Sequence, residues 1–169
     1  MIQADKILIK ARYSVFYRWL LNIALDRMVP FNKPHGFKVI ELEEYRLKTS
    51  LPYKRRNFNH IRGLHACGLA TLSEFTTGFL LLSALGMKKY RMIMQRLEMN
   101  YHYQGKMTAT AEFIISKEWI EEKIAKPLQT NDSVVVPCEI KIHDVQGNHL
   151  TTGLVYWQFK NWASVKTKT

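Results

Sequence analysis

From His65 to Leu85 the chain runs 21 residues with one charged side chain, Glu74, and no proline, before Gly86 stops it. Such a stretch predicts one long helix over residues 65–86, about 30 Å from end to end. At about 100° per residue, Leu69, Leu72, Thr76, Phe79 and Leu80 share one face, which should lie on a sheet. Cys67, Ala70, Glu74, Gly78 and Leu81 share the other, a mostly small face that a ligand or another backbone could approach closely. Glu74 is the only charge on either. A carboxylate in an apolar helix is costly to bury without a partner or a chemical role.

The flanking segments alternate instead. Phe37 to Ser50 predicts a strand, and Leu51 to Leu64, punctuated by Pro, Asn and Gly, an irregular loop. Arg91–Tyr103, Met107–Ile115, Ser133–His143 and Asn148–Phe159 are four further strand candidates. Gln104-Gly105 and Gln146-Gly147-Asn148 offer tight turns suited to antiparallel hairpins. Lys117 to Ala125 reads as a short helix closed by Pro127. Ahead of these, residues 8–29 repeat apolar side chains at three- and four-residue spacing (Val15, Trp19, Leu20, Ile23), an amphipathic helix stopped by Pro30. It should pack on the domain core, and a basic, aromatic-rich helix could also rest on a membrane surface. About five strands and one long helix make a two-layer α+β domain with an extra N-terminal helix. The 169 residues suit one domain: helix and loop to residue 36, core over 37–160, tail over 161–169.

Charge adds a second constraint. The formal net charge of +11 attracts phosphates, and Lys54-Arg55-Arg56 and Lys88-Lys89-Tyr90-Arg91 form small clusters. The aromatics are not interleaved with these clusters and no nucleic-acid motif is present, so nucleic acid is not the expected partner. Two cysteines, Cys67 and Cys138, are too few for a disulfide framework and read as free thiols in a reducing cytoplasm. Lys6, Lys10 and Arg12 interrupt the N-terminal apolar residues, so no signal peptide is expected and the cytoplasm is the expected location. His60, His65 and Cys67 lack the spacing of a metal site, and no metal is expected.

Asn59 stands in the loop seven residues before Ala66, and Glu74 eight residues after it, with His65 between. That spacing resembles the hotdog-fold acyl-CoA thioesterases of the phenylacetate-pathway type, whose pattern is Asn/Gln, a Gly at the helix start, then Asp/Glu. His65 matches the His of their His-Gly-Gly. Leu51-Pro52 and Arg56 to His60 are similar to an uncharacterised thioesterase-like subgroup of the same superfamily. The likeness spans about Phe37 to Phe159 in element order and is specific over Leu51 to Gly78. The resemblance implies an antiparallel sheet wrapped around one central helix, hydrolysis of an acyl-CoA or acyl-carrier thioester, and no cofactor beyond the coenzyme A of the substrate.

The implied roles follow from the chemistry. The Ala66 N–H, at the positive end of the helix dipole, would hold the oxyanion. Glu74 would act as nucleophile or general base, and Asn59 would bond the carbonyl or position water. His65 suits bracing the loop better than catalysis. Arg55, Arg56, Arg62, Lys88, Lys89 and Arg91 are candidates for the nucleotide phosphates, with Phe79, Leu81, Leu85 and Met87 for an acyl lining. Structural alternatives stand beside these: Glu74 paired with Arg56 or Arg62, and Asn59 as a turn former. Glu74 sits about 12 Å along the helix from Ala66, too far to serve one carbon. Two antiparallel helices across a two-fold axis would close that gap, so a homodimer or dimer of dimers is expected. Ala66-Cys67 stands where the family has Gly-Gly, and Arg62 where it has Gly. The first departure supports a second reading, an acyl-CoA binding protein without catalysis.

Overall fold

The computed structural model describes residues 2–86, 89–162 and 165, with side chains from residue 6 onward. Helices α1 (Ile2–Ala11) and α2 (Val15–Met28) precede the hairpin β1 (Lys38–Leu42) and β2 (Arg46–Leu51). The central helix α3 (Ala66–Leu85) follows, then β3 (Tyr90–Tyr101) and β4 (Ala109–Ile114). A helical segment made of α4 (Lys117–Ile120), a π-helical turn (Glu121–Ala125) and α5 (Pro127–Thr130) leads to β5 (Ser133–Asp144) and β6 (His149–Asn161). All pairings are antiparallel, in the order β1-β2-β4-β5-β6-β3. The sheet wraps α3, which touches every strand from β2 to β6. This is the long helix inside an antiparallel sheet that the resemblance implied.

Local departures from the expected elements each have a cause. The single strand expected over 37–50 is a hairpin, which raises the strand count to six. Its turn, Glu43-Glu44-Tyr45, has none of the usual turn residues. Arg46 holds it instead, bonding Glu41 and Glu43 at 2.8 Å each and Glu112 across the sheet. The hairpin expected at Gln104-Gly105 does not form, because β3 and β4 lie at distant places in the sheet. Gly105 serves close approach: its carbonyl accepts Leu64 N–H at 2.7 Å, and an added Cβ would meet Leu150 at 2.9 Å. The N-terminal helix is broken at Arg12–Ser14, where the Arg18 guanidinium donates to the Ala11 carbonyl at 3.1 Å. Pro127 opens α5 instead of ending a helix, since a first-turn proline has no lost hydrogen bond to answer for.

The two sheet edges differ. Along β1, the Asn22 side chain of α2 accepts from Val39 N–H (2.8 Å) and donates to Val39 C=O (3.0 Å), occupying the outward backbone groups. β3 pairs only with β6, leaving a twelve-residue outer edge on which Ile93 and Met94 are exposed.

The two-faced reading of α3 needs correction. Leu69, Leu72, Thr76 and Leu80 are buried as expected, but Gly78 and Leu81 of the opposite face are buried too. The space beside Gly78 is taken by the Trp157 ring, whose carbons would lie 2.6 and 2.8 Å from an added Cβ. Trp157 Nε1 donates to Thr77 Oγ1 at 3.0 Å and fixes the ring there. Only the N-terminal part of that face, Cys67, Ala70 and Glu74, reaches solvent. By length and composition α3 would suit a membrane crossing, but it serves here as the core helix. The buried hydroxyls cost little, because Ser73, Thr76 and Thr77 each donate to the carbonyl four residues back. Replacing Gly78 with alanine should force the clamped Trp157 ring aside and destabilise the fold by about 1–3 kcal/mol, measured by denaturant unfolding.

Candidate active site

Backbone bonds from two directions fix the start of α3. His65 N–H donates to Asn57 C=O (2.8 Å), and Leu64 N–H to Gly105 C=O. The buried Asn57 side chain in turn donates to the His35 and Pro52 carbonyls (2.9 and 2.8 Å) and accepts from the His35 ring (3.0 Å). His65 is the N-cap: its Nδ1 accepts Cys67 N–H at 3.1 Å, which requires that nitrogen to be unprotonated. The His65 carbonyl accepts from Gly68 and Leu69. Of the first four helical donors, Ala66 N–H alone has no acceptor among the described residues. A free N–H at a helix start is a ready donor to an anion.

Asn59 acts first as a loop former. Its Oδ1 accepts from Ile61 N–H (3.1 Å) and Gly63 N–H (2.8 Å), while Nδ2 makes only a long 3.5 Å contact with Leu64 C=O. The oxygen is therefore occupied and the amide nitrogen keeps donor capacity. A cleft of ≈ 350 Å³ joins Asn59 to Ala66, Leu69, Tyr101, His102 and Gln104. On the other side of the helix start, a cleft of ≈ 250 Å³ lies between Phe31, His35, Arg56, His65, Cys67 and Thr71. Both open beside the first turn of α3.

Glu74 stands apart from these clefts, more than two turns along the helix. It is half-buried and makes no ion pair or side-chain hydrogen bond among the described residues; the pairing with Arg56 or Arg62 does not form. Burial alone pushes its carboxyl above the usual carboxylate range. The structure thus gathers Asn59, His65 and Ala66 at one place and leaves Glu74 without a partner.

The basic candidates divide similarly. Arg55 and Arg62 line a third cleft with Phe58 and Asn59, and Arg56 donates to Pro34 C=O at 3.2 Å. Arg62 has φ 60°, among the described residues the only non-glycine at positive φ, a conformation that favours glycine. Lys89 and Arg91 lie beyond the far end of α3, about 30 Å away along the helix. Lys88 and Met87 fall outside the described residues. Of the acyl-lining candidates, Leu81 is buried, and Phe79 and Leu85 are half-buried against the core. Cys67 and Cys138 are free thiols.

Two further residues belong to the site, Tyr101 and Asn57. Tyr101 donates its hydroxyl to Ala66 C=O at 3.0 Å, tying the end of β3 to the helix start, and burial, then nearby Cys67, raises its pKa. Asn57 anchors the loop as described. Tyr101 ends a run whose helix contact no periodicity reports, whereas Asn57 sits in the Arg-Asn-Phe-Asn approach and could have been found there.

A family model, described as a domain of unknown function (DUF4442), matches residues 17–159. No curated protein matches the sequence. Among solved structures, a Pseudomonas aeruginosa protein of unknown function, described as a "probable thioesterase", superposes with TM-score 0.77 at 20% identity, over 84% of this chain and 94% of that one. A thioesterase from Haemophilus influenzae gives TM-score 0.66 at 12% identity, over 88% and 92%. A mutant thioesterase, also from Pseudomonas aeruginosa, gives 0.66 at 12%, over 85% and 94%. At these identities the likeness establishes the fold, which is the hotdog fold.

The position of Glu74 has a consequence for stability. Its carboxyl holds a proton more tightly in the folded chain than in the unfolded one. It therefore contributes nothing below the unfolded pKa and costs stability as pH rises through the folded pKa. Glu74→Gln should raise the melting temperature at neutral pH, and the gain should vanish below about pH 4, read from melts across a pH series.

Proposed function

The chain belongs to the DUF4442 family, and from that membership and the half-site at the start of α3 we propose that it hydrolyses acyl-CoA thioesters at a site shared by two subunits. One observation carries the reading. Among the described residues Ala66 N–H has no acceptor and the Glu74 carboxyl no partner, and about 12 Å of one helix separates them, more than a single chain can close. The three thioesterase-like neighbours on the same fold support the reaction class.

The thioester carbonyl oxygen points at Ala66 N–H, with the Asn59 Nδ2 as second donor. Water adds to the carbonyl carbon as Glu74 of the partner subunit takes its proton. The raised pKa of Glu74 favours this general-base role, since a base works best near the working pH. The negative charge on the tetrahedral oxygen meets the helix dipole and the free N–H. The carbon–sulfur bond then breaks, and the proton on Glu74 passes to the sulfur, leaving free acid and CoA thiol. Arg55 and Arg62, which line one cleft with Asn59, would hold the nucleotide phosphates. The open edge of β3 supports the pairing: two copies joined there antiparallel would continue the sheet and set the two α3 helices side by side. Homodimer and dimer of dimers both contain that unit. Cytoplasmic location is part of the same proposal.

Thiol release from a panel of acyl-CoAs tests the chemistry. Glu74→Ala should lose about 10²–10⁴-fold in kcat; equal turnover by both proteins removes Glu74 from the mechanism. Saturable acyl-CoA binding with no turnover by the wild type would instead favour the binding-protein reading, to which Ala66-Cys67 points. A subunit test separates shared from single-chain sites. Mixing Glu74→Ala with Asn59→Ala subunits rebuilds one intact site in each mixed dimer, so about a quarter of wild-type activity should return. Arg62→Gly, which relieves the positive φ while removing the charge, should raise KM with little change in kcat or stability.

A further inference from the structure

Helices α1 and α2 bury one side against the core through Ala11, Leu21 and Leu25, with Ile7, Leu8 and Tyr17 partly covered. Their corner points large apolar side chains the other way. Tyr13 is 85% exposed, Val15 75%, Phe16 60%, Trp19 56% and Ile9 55%. Phe16 and Trp19 stack on each other with ring centroids 5.9 Å apart, so together they present a broad apolar surface. None of these side chains is needed to close the core. Several exposed aromatics in one short segment exceed the isolated apolar residues normal on a protein surface.

The charge around the corner is one-sided. Between Asp5 and Asp26 the chain carries Lys6, Lys10, Arg12 and Arg18 and no carboxylate, and Asp26 is itself paired with Lys38 at 3.1 Å. Lys6 and Lys10 are exposed. Lys10 Nζ lies 4.8 Å from the Tyr17 ring centre and donates to its hydroxyl at 3.1 Å, which holds the cation beside the aromatics. Arg18 is engaged with the Ala11 carbonyl and Arg12 is half-buried, so the two lysines are the cations that face outward.

We propose that this corner docks on an anionic lipid bilayer, with Tyr13, Val15, Phe16 and Trp19 entering the headgroup region and Lys6 and Lys10 meeting lipid phosphates. Trp and Tyr favour that region because an apolar body and a polar tip suit the boundary between water and hydrocarbon. Cations flanking an apolar wedge provide the two combined signals that reversible membrane attachment requires. A second copy of the chain fits less well. A two-fold contact through the same corner would set the exposed Lys6 and Lys10 against their own counterparts. The proposal does not depend on the thioesterase reading.

The test uses the full chain with vesicles of phosphatidylcholine alone and of phosphatidylcholine mixed with phosphatidylglycerol. Co-sedimentation should occur with the mixed vesicles, weaken with salt, and carry a blue shift of tryptophan emission. Phe16→Ser/Trp19→Ser and Lys6→Glu/Lys10→Glu should each lower the partition coefficient by about tenfold or more, the first also losing the blue shift. Both should keep the wild-type melting temperature, since the replaced side chains are exposed. Failure of the wild type to bind either vesicle overturns the proposal, as does equal binding by wild type and variants. A change of oligomeric state in the serine variant without lipid also overturns it, by naming a second copy as the occupant.

Discussion

The enclosure of α3 governs the rest of the molecule. A helix of 20 residues with one charge cannot lie on a flat sheet and leave its other side wet, because the apolar area is too large. The sheet must curl around it, and the glycine at position 78 lets Trp157 close the far side. Hydroxyls that would be expensive in such a core turn back onto the helix's own carbonyls, and the buried Thr49 and Thr76 hydroxyls meet at 2.6 Å. Against that background Glu74 is the exception. It remains half-buried at the rim of the enclosed part, without a side-chain partner among the described residues.

The loop from Pro52 to His65 delivers the start of α3 in a fixed orientation. Asn57 and Asn59 do this with amide side chains that copy backbone turns, and His65 supplies the cap. Each satisfied group subtracts one donor from the first turn until only Ala66 N–H is left. A donor that is free because its neighbours are all occupied is preorganised for an incoming acceptor. Arg62, held at positive φ beside Asn59, shows that the loop tolerates local strain to keep its path.

Much of this is legible in the sequence for physical reasons. The central helix is readable because twenty residues with one charge and no proline permit little else, and the later strands because alternation reports a half-buried sheet. The hairpin at Glu43–Tyr45 is not, since its turn is made by a cross-strand arginine and not by turn residues. The crossover at Gly105 stays hidden because a glycine that allows close approach looks like a glycine that allows a turn. On the candidate site, the spacing marks Asn59 and Ala66, which line one cleft, while Glu74 stands apart and Tyr101 is brought to Ala66 only by the strand order. The Trp157 ring against Gly78 involves residues 79 positions apart, beyond any local pattern.

The Asn22 clamp on Val39 has an effect that reaches past this one chain. A sheet with two open borders can add neighbours without end, which is the route to filaments and aggregates. Here one border has its Val39 groups occupied by a side chain that imitates a strand, and the β3 border has no strand beyond it among the described residues. Strand addition is therefore hindered at Val39 and open along β3. A single amide on α2 thus guards one of the two borders against a foreign strand at Val39.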